Sequence, residues 1–321
     1  MQRNFFTVLV VFLALTSGPL ALSAELKKVR LSVPSLGTNS MLFGLAKDQG
    51  FFREEGLEVE QINMRGSLGV KALIGGDVGY SAASGSIITA ALRGIKVKLV
   101  SILSPVPVFR MMAQKDLKSI KDLKGKTVAL SSRGGTIDHL TRIMLEKNGL
   151  IPEKEVTLVV VGGQQTIWNA IRADRVAAAL INLPGYLILG KEGFTDLGAA
   201  RDYFAYHPTG GLGVSDEKIA KDRAEVIAFL KATLRARRLY LNDRAAGIKA
   251  LLKHGGLTDE SLAQATYEDY RQVLSPDGLA DENWMREAMA FILKVTDTKK
   301  QISPDQVFDF SLSREAMAQM K

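Results

Sequence analysis

The chain of 321 residues contains no cysteine. That absence excludes disulfides, thiol nucleophiles and a lipid anchor on a cysteine behind a leader. Histidine is scarce: His139, His207 and His254 stand far apart, in no HExxH or paired arrangement that would bind a metal. A GxSxG nucleophile elbow is missing, since "GSLG" and "ASGS" do not match it. The stretch "DLKGKT" imitates the end of a phosphate loop, but it lacks the upstream glycine and precedes a strand instead of opening a helix. Basic residues outnumber acidic ones, 42 to 34, yet they are scattered among acids and form no stripe with interleaved aromatics. Nucleic acid is therefore not an expected partner, no cofactor is expected, and an enzyme is disfavoured.

Long apolar runs are also absent, with one exception. The opening "MQRNFFTVLVVFLALTSGPLALSAE" has a positive head at Arg3, an uncharged run from Phe5 to Thr16, a break at Gly18-Pro19 and then small residues. This is the three-part pattern of a secretory signal peptide over residues 1–24, with cleavage expected after Ser23 or Ala24. The apolar run falls short of the ~20 residues a spanning helix needs. Arg3 is the one charge in this leader, so its removal takes the net charge from +8 to +7. The expected product is a freely soluble periplasmic or secreted protein without a lipid anchor, monomeric, with a composition (46% hydrophobic, 24% charged) ordinary for globular domains.

Beyond the leader, strands alternate with helices. "KKVRLSVPS" and "LEVEQINM" flank the helical "NSMLFGLAKDQGFFREEG", the grammar of a parallel sheet with helices on its faces. The same order returns about 97 residues later, Gly66 aligning with Gly163 and Val78 with Val176. Two lobes on one plan are implied, an α/β architecture. A crossing segment around "YFAYHPTGGLGVSDE" leads into "KIAKDRAEVIAFLKATLRARRLYLND", read as one long helix started by Ser215-Asp216-Glu217, with further helices after it. The late helices are expected to pack back on the first lobe. The divisions are then 25–107 for the first part of lobe 1, 108–207 for lobe 2 and 208–321 for the return to lobe 1.

In open parallel sheets, ligands bind beyond the carboxyl ends of the strands, where helix starts present unpaired N–H groups. Four such ends are visible: "PSLGTNS", "SAASGS", "SSRGGTID" and "INLPG". Glycine lets backbone approach a ligand, hydroxyls and amides bond it, and the helix dipole favours an oxyanion or polar head group. The candidates are Ser35, Thr38, Asn39, Ser84 and Ser86 in lobe 1 and Arg133, Gly135, Thr136 and Asn182 in lobe 2. The alternative for each hydroxyl or amide is an ordinary helix cap. Arg133 is the one charge within these ends; facing the cleft it pairs with an acid group, facing out it is a solvated loop arginine. Gly162 to Thr166 and Gly66-Ser67 are secondary candidates, while Trp168, Tyr186 and Phe109 are expected in the core and His207 is expected to be structural.

The segments "AKDQGFFREEGLEVE" and "DLKGKTVALSSRGG" carry a family resemblance. From about Lys28 to Asp216 the chain resembles the solute-binding proteins of ABC transporters in the nitrate, sulfonate and taurine group, which also includes pyrimidine-precursor binders. The resemblance implies a type II periplasmic binding-protein fold: two lobes, two crossover strands, closure on a small molecule and docking to an inner-membrane permease. It places ligand contacts on Ser35 to Asn39, on Ser84, Gly85 and Ser86, on Gly134, Gly135 and Thr136, and on Asn182. Where this group often has an acid in "GDVD" and "GxVD", Gly79 and Ala177 stand here, which leaves the substrate subgroup open. A sensor-feeding binding protein is the alternative to transport. A thiamin-pyrimidine synthase on the same fold would need a cysteine-rich motif that is missing. The crossings near Val106 to Met112 and Ala205 to Gly211 are expected to act as the hinge.

Overall fold

The computed structural model describes residues 25–34, 37–295 and 302–320. The expected leader lies outside the described residues, and no described helix is long and apolar enough to cross a membrane.

Strand β1 (Lys27–Val33) leads through α1 (Thr38–Asp48) and the short α2 (Phe51–Glu54) to β2 (Leu57–Asn63). Then come α3 (Gly66–Gly75), β3 (Tyr80–Ser81), α4 (Ser84–Leu92) and β4 (Val97–Ser104). The second series runs β5 (Phe109–Ala113), β6 (Thr127–Leu130), α5 (Thr136–Lys147), β7 (Thr157–Val160), α6 (Gln164–Arg172), β8 (Ala178–Asn182), α7 (Gly185–Lys191) and β9 (Thr195–Ala199). After β10 (Thr209–Ser215) the chain is helical: α8 (Asp216–Lys221), α9 (Arg223–Asn242), α10 (Arg244–His254), α11 (Glu260–Arg271), α12 (Glu282–Val295) and α13 (Ser311–Ala318).

Two five-stranded sheets result, ordered β2-β1-β3-β10-β4 and β7-β6-β8-β5-β9. Position for position the two orders are the same, the geometric form of the repeat read from the sequence. In each, the first three strands are parallel and the fourth runs antiparallel to its neighbours. That fourth strand arrives from the opposite sheet: β5 follows β4 and β10 follows β9. The chain thus passes between the sheets twice, and the crossings touch where the Val108 amide donates to Thr209 Oγ1 at 3.0 Å. The central strands read as unbroken apolar runs, as in the fully buried β8 "AALIN", because helices cover both faces.

The late helices cover the first sheet on both sides. On one face α9, α10, α11 and α13 join α1 in a core holding Phe43, Phe52, Phe229, Tyr240, Tyr267 and Leu312. On the other, Trp284 and Ile292 of α12 pack with Ile87, Ile88 and Leu99. The expected single long helix is in fact two. Ser215 Oγ caps α8 by accepting from the Lys218 amide at 3.1 Å, but the backbone leaves helical geometry at Asp222 (φ −127°, ψ 34°). Asp222 is held there by Lys27 at 2.9 Å and Lys218 at 3.4 Å, a tertiary anchor that helix periodicity does not encode. The last helix, α13, is fixed by Leu312 and by Ser313 Oγ donating to the Val100 carbonyl at 2.7 Å.

Phe229 stacks on Tyr80 at a ring separation of 4.0 Å and lies 5.0 Å from Phe52, so it joins α9 to both the sheet and α2. Phe229→Ala is expected to cost about 3–5 kcal/mol, read as a lower denaturant midpoint at unchanged slope.

Candidate ligand-binding cleft

The carboxyl ends of the parallel strands of both sheets face one cavity of about 70 Å³ between the lobes. At roughly 30 Å³ for a water's share of liquid volume, this holds about two waters or the head group of a compact solute. Four helices begin at its wall: α3 at Gly66, α4 at Ser84, α5 at Thr136 and α6 at Gln164. None of the four has a side-chain cap at its amino end. Three helices of the tail differ, for Ser215, Asp243 and Asp259 each accept from a backbone amide at the start of α8, α10 and α11, while α9 and α13 are without a side-chain cap too. The reading of the cleft hydroxyls as ordinary caps does not hold for Ser84 and Thr136, which are first residues within their helices; the Ser84 amide donates to the Ala82 carbonyl at 3.2 Å and its hydroxyl to the Pro208 carbonyl at 3.1 Å, while no side chain caps the other leading N–H groups.

The wall brings together Ser84, Gly85, Ser86, Gly135, Thr136 and Asn182 from among the sequence candidates. No charged side chain is among the described residues that line it. Gln164 also lines it, and its side chain is committed to holding the β8 end in place. Its Oε1 accepts from the Asn182 amide at 3.3 Å and from Trp168 Nε1 at 3.1 Å, and its Nε2 donates to the Leu180 carbonyl at 3.2 Å. Asn182 itself is buried, and its Oδ1 has no partner among the described residues.

Ser131, Ser132 and Thr209 were not among the sequence candidates, and Phe109 belongs to the core of the second lobe as expected but reaches the cavity as well. All four line the cavity. Ser131 and Ser132 directly follow the apolar run Val128–Leu130, so their position at a strand end was the available signal. Phe109 and Thr209 start the two antiparallel strands, and nothing local marks them as neighbours of Asn182.

Arg133 is corrected. Its guanidinium turns away from the cleft, pairing with Glu153 through Nη1 and donating from Nη2 to the Leu158 carbonyl at 2.7 Å. Arg142 Nη2 joins the same Glu153 carboxylate at 2.9 Å. Partial burial works to raise the Glu153 carboxyl, but the bonds from Arg142 and Arg133 outweigh it and hold the group below its usual range. The acid partner of Arg133 is thus supplied by the protein itself, from the loop ahead of β7. Gly134 sits beside the cavity without lining it: its amide donates to Asp138 Oδ2 at 2.7 Å and its carbonyl accepts from Thr89 Oγ1 at 2.8 Å. Thr38 opens α1 fully buried, with Oγ1 unpartnered among the described residues and away from the lining. Ser35 lies outside the described residues, as does the side chain of Asn39. His207 is buried and bonded to protein atoms, as expected of a structural histidine.

A larger open groove of about 840 Å³ lies at the amino ends of β1 and β2. Its walls mix acids and bases, Lys27, Arg30, Glu58 and Glu60 among them, and Arg30 pairs with Glu60. It is solvated surface at the wrong end of the strands for the helix starts to act, so the interlobe cavity is the candidate site.

Closure across the cavity is tight. A Cβ on Gly85, at the start of α4, would lie 2.5 Å from Thr136 Oγ1 and 2.7 Å from the Thr136 amide nitrogen at the start of α5. The helix starts of opposite lobes meet there without a side chain between them.

Two α/β lobes of matching strand order, joined by two crossings around a cleft at the strand ends, make this a two-lobed periplasmic binding-protein fold. Residues 37–246 match the NMT1/THI5-like family, and the chain belongs to it. A protein of Brucella abortus named as a binding protein is 25% identical over 237 residues, 73% of this chain and 72% of its own. Among solved structures, the alkanesulfonate-binding protein SsuA of Xanthomonas axonopodis, bound to MOPS, superposes with a TM-score of 0.72 at 20% identity, covering 91% of this chain and 98% of that one. The nitrate-binding protein NrtA of Synechocystis gives 0.78 at 15% identity, with 92% and 90% covered. An enzyme shares the fold as well: the desulfurization enzyme DszB gives 0.65 at 15% identity, covering 92% and 100%.

The Gly85 contact yields a test. Gly85→Ala cannot coexist with the Thr136 backbone at the present separation, so the lobes are expected to stand further apart, seen as a larger radius of gyration by small-angle scattering. Any cleft solute should bind tenfold or more weakly, about 1.4 kcal/mol.

Proposed function

We propose that this protein is the solute-binding component of an ABC importer, exported by its leader, which captures a small polar or oxyanionic organic solute in the interlobe cleft and delivers it to a membrane permease. The observation that carries the reading is the set of uncapped helix starts from both lobes converging on one cavity, with hydroxyl groups interleaved. Such a wall donates hydrogen bonds to the oxygens of a compact head group and offers the positive ends of helix dipoles without a fixed cation. Contacts from both lobes at once would favour the closed form by differential affinity.

A neutral, amide-bearing solute of the pyrimidine-precursor kind is the second reading. It is favoured by the absence of charged side chains from the described lining and by the ring of Phe109 in the wall. Binding without catalysis fits the same wall, because its described residues include no histidine, carboxylate or lysine to move a proton.

Thermal-shift screening against alkanesulfonates, nitrate, aromatic acids and pyrimidines separates these readings. A cognate solute at about 100 times its Kd adds about 2.7 kcal/mol to the folded state, a rise of several degrees in Tm. Sulfonates or nitrate as hits support the oxyanion reading and pyrimidines the neutral one; no shift from any class would sink both. With the hit in hand, Arg133→Ala should leave Kd within about twofold, whereas Ser86→Ala should weaken it by about 0.5–1.5 kcal/mol, measured by titration calorimetry.

A further inference from the structure

Behind the contact of α4 and α5 lies a polar chain that solute capture does not use. Thr89 of α4, His139 of α5 and His207 of the second crossing are all buried. His207 Nδ1 stands 3.1 Å from the Pro208 carbonyl oxygen, His207 Nε2 is 3.3 Å from His139 Nδ1, and His139 Nε2 is 3.5 Å from Thr89 Oγ1. Thr89 Oγ1 in turn reaches the carbonyls of Gly85 at 2.9 Å, on its own helix, and Gly134 at 2.8 Å, in the opposite lobe.

The chemistry of these atoms fixes the protons. A carbonyl cannot donate, so His207 Nδ1 carries the hydrogen and its Nε2 is a lone pair in the neutral ring. His139 Nδ1 must then donate, which leaves His139 Nε2 as a lone pair. A proton added at His207 Nε2 would set N–H against N–H. His139 Nε2 is the position where a proton could enter without breaking a bond, and the surroundings there oppose a cation. Arg142 on α5 and Arg93 at the end of α4 both act on the ring, and α12 offers the edge of Phe291, at a centroid separation of 6.2 Å. The neighbouring acid, Asp138, is already engaged by Arg142 Nε at 2.7 Å and the Gly134 amide at 2.7 Å. Burial, reinforced by the two arginines, depresses His139 to about 3, and burial with the nearby His139 depresses His207 equally.

We propose that Thr89, His139 and His207 form an interlobe latch, in which the His139–His207 bond and the Thr89 hydroxyl donating across to the Gly134 carbonyl hold the α5 start against α4 around a buried, neutral His139, and that acid releases it. Parting the lobes draws α5 away from α4 and α12 and exposes the His139 ring to water, where its affinity for protons returns to the ordinary value near 6.5. The closed form then binds fewer protons than the open one. Its advantage is complete above about pH 6.5 and falls by up to tenfold per pH unit as pH drops toward 3. Solute capture would weaken in step. That last consequence rests on the cleft being the binding site; the latch itself does not.

The test therefore uses the protein without solute. Small-angle scattering from pH 7.5 to 4.5, with far-UV circular dichroism alongside, should show the radius of gyration rising while secondary structure is unchanged. His139→Asn places an amide N–H where Nδ1 stood, keeping the bond to His207 but removing the titrating ring, and His207→Asn does the same toward Pro208. The His139→Asn radius should stay flat with pH. A flat wild-type profile, an equal rise in His139→Asn, or expansion accompanied by loss of helical signal would each overturn the proposal. If His139→Asn does not fold, the wild-type scattering and dichroism decide, with His207→Asn as the comparison. A solute hit with no pH-driven expansion sinks the latch and leaves the binding reading standing; expansion with no hit does the reverse.

Discussion

Two antiparallel pairings hold the molecule's plan in place: β5 against β8 and β10 against β4. Each inserts into one sheet a strand that the chain brings from the other, so neither sheet is complete until both crossings have been made. The same registers place the cleft residues. Phe109 pairs with Asn182 and Thr209 with Ser104, and the Val108 amide bonds Thr209 Oγ1, so the crossings and the cavity wall are built from the same few bonds. An interlobe cleft in this fold is a consequence of how the sheets are closed.

Electrostatics divide along the same line. The chain carries a net charge of +8, yet two cations beside the second-lobe wall are turned outward and paired: Arg133 with Glu153, Arg142 with Asp138 and Glu153. Among the described residues, what faces the cavity is partial charge only, in the form of uncapped helix starts and hydroxyls. Partial charges from fixed backbone discriminate by the position of a ligand's oxygens more than by its net charge, and they require no counter-ion when the cleft is open. The buried histidine pair lies on the far side of the α4 and α5 contact from the cavity, so the same contact carries polar recognition on one flank and a proton-sensitive chain on the other.

Much of this was legible in the amino-acid sequence. The strand ends "SAASGS", "SSRGGTID" and "INLPG" announced themselves by small hydrogen-bonding residues between an apolar run and a helix, and Ser84, Ser86, Gly135, Thr136 and Asn182 do line the cavity. Arg133 could not be settled that way, because its direction depends on Glu153, twenty residues later in a separate loop. Phe109 and Thr209 were invisible as cleft residues for a related reason: they owe their place to pairings between strands distant in the chain. The break at Asp222 escaped notice because Lys27, its partner, is 195 residues away.

The sequence by itself determined the alternation of strands and helices, the repeat, the absence of cysteine chemistry and the polar character of the strand ends, since each is written in local periodicity and composition. Tertiary structure alone decided which strand enters which sheet, which way Arg133 points, that the cleft helices go uncapped, and that His139 and His207, 68 residues apart, meet in the interior. Those outcomes turn on contacts between residues far apart in the chain, and a hydrogen bond between two such residues leaves no mark on the local pattern of either.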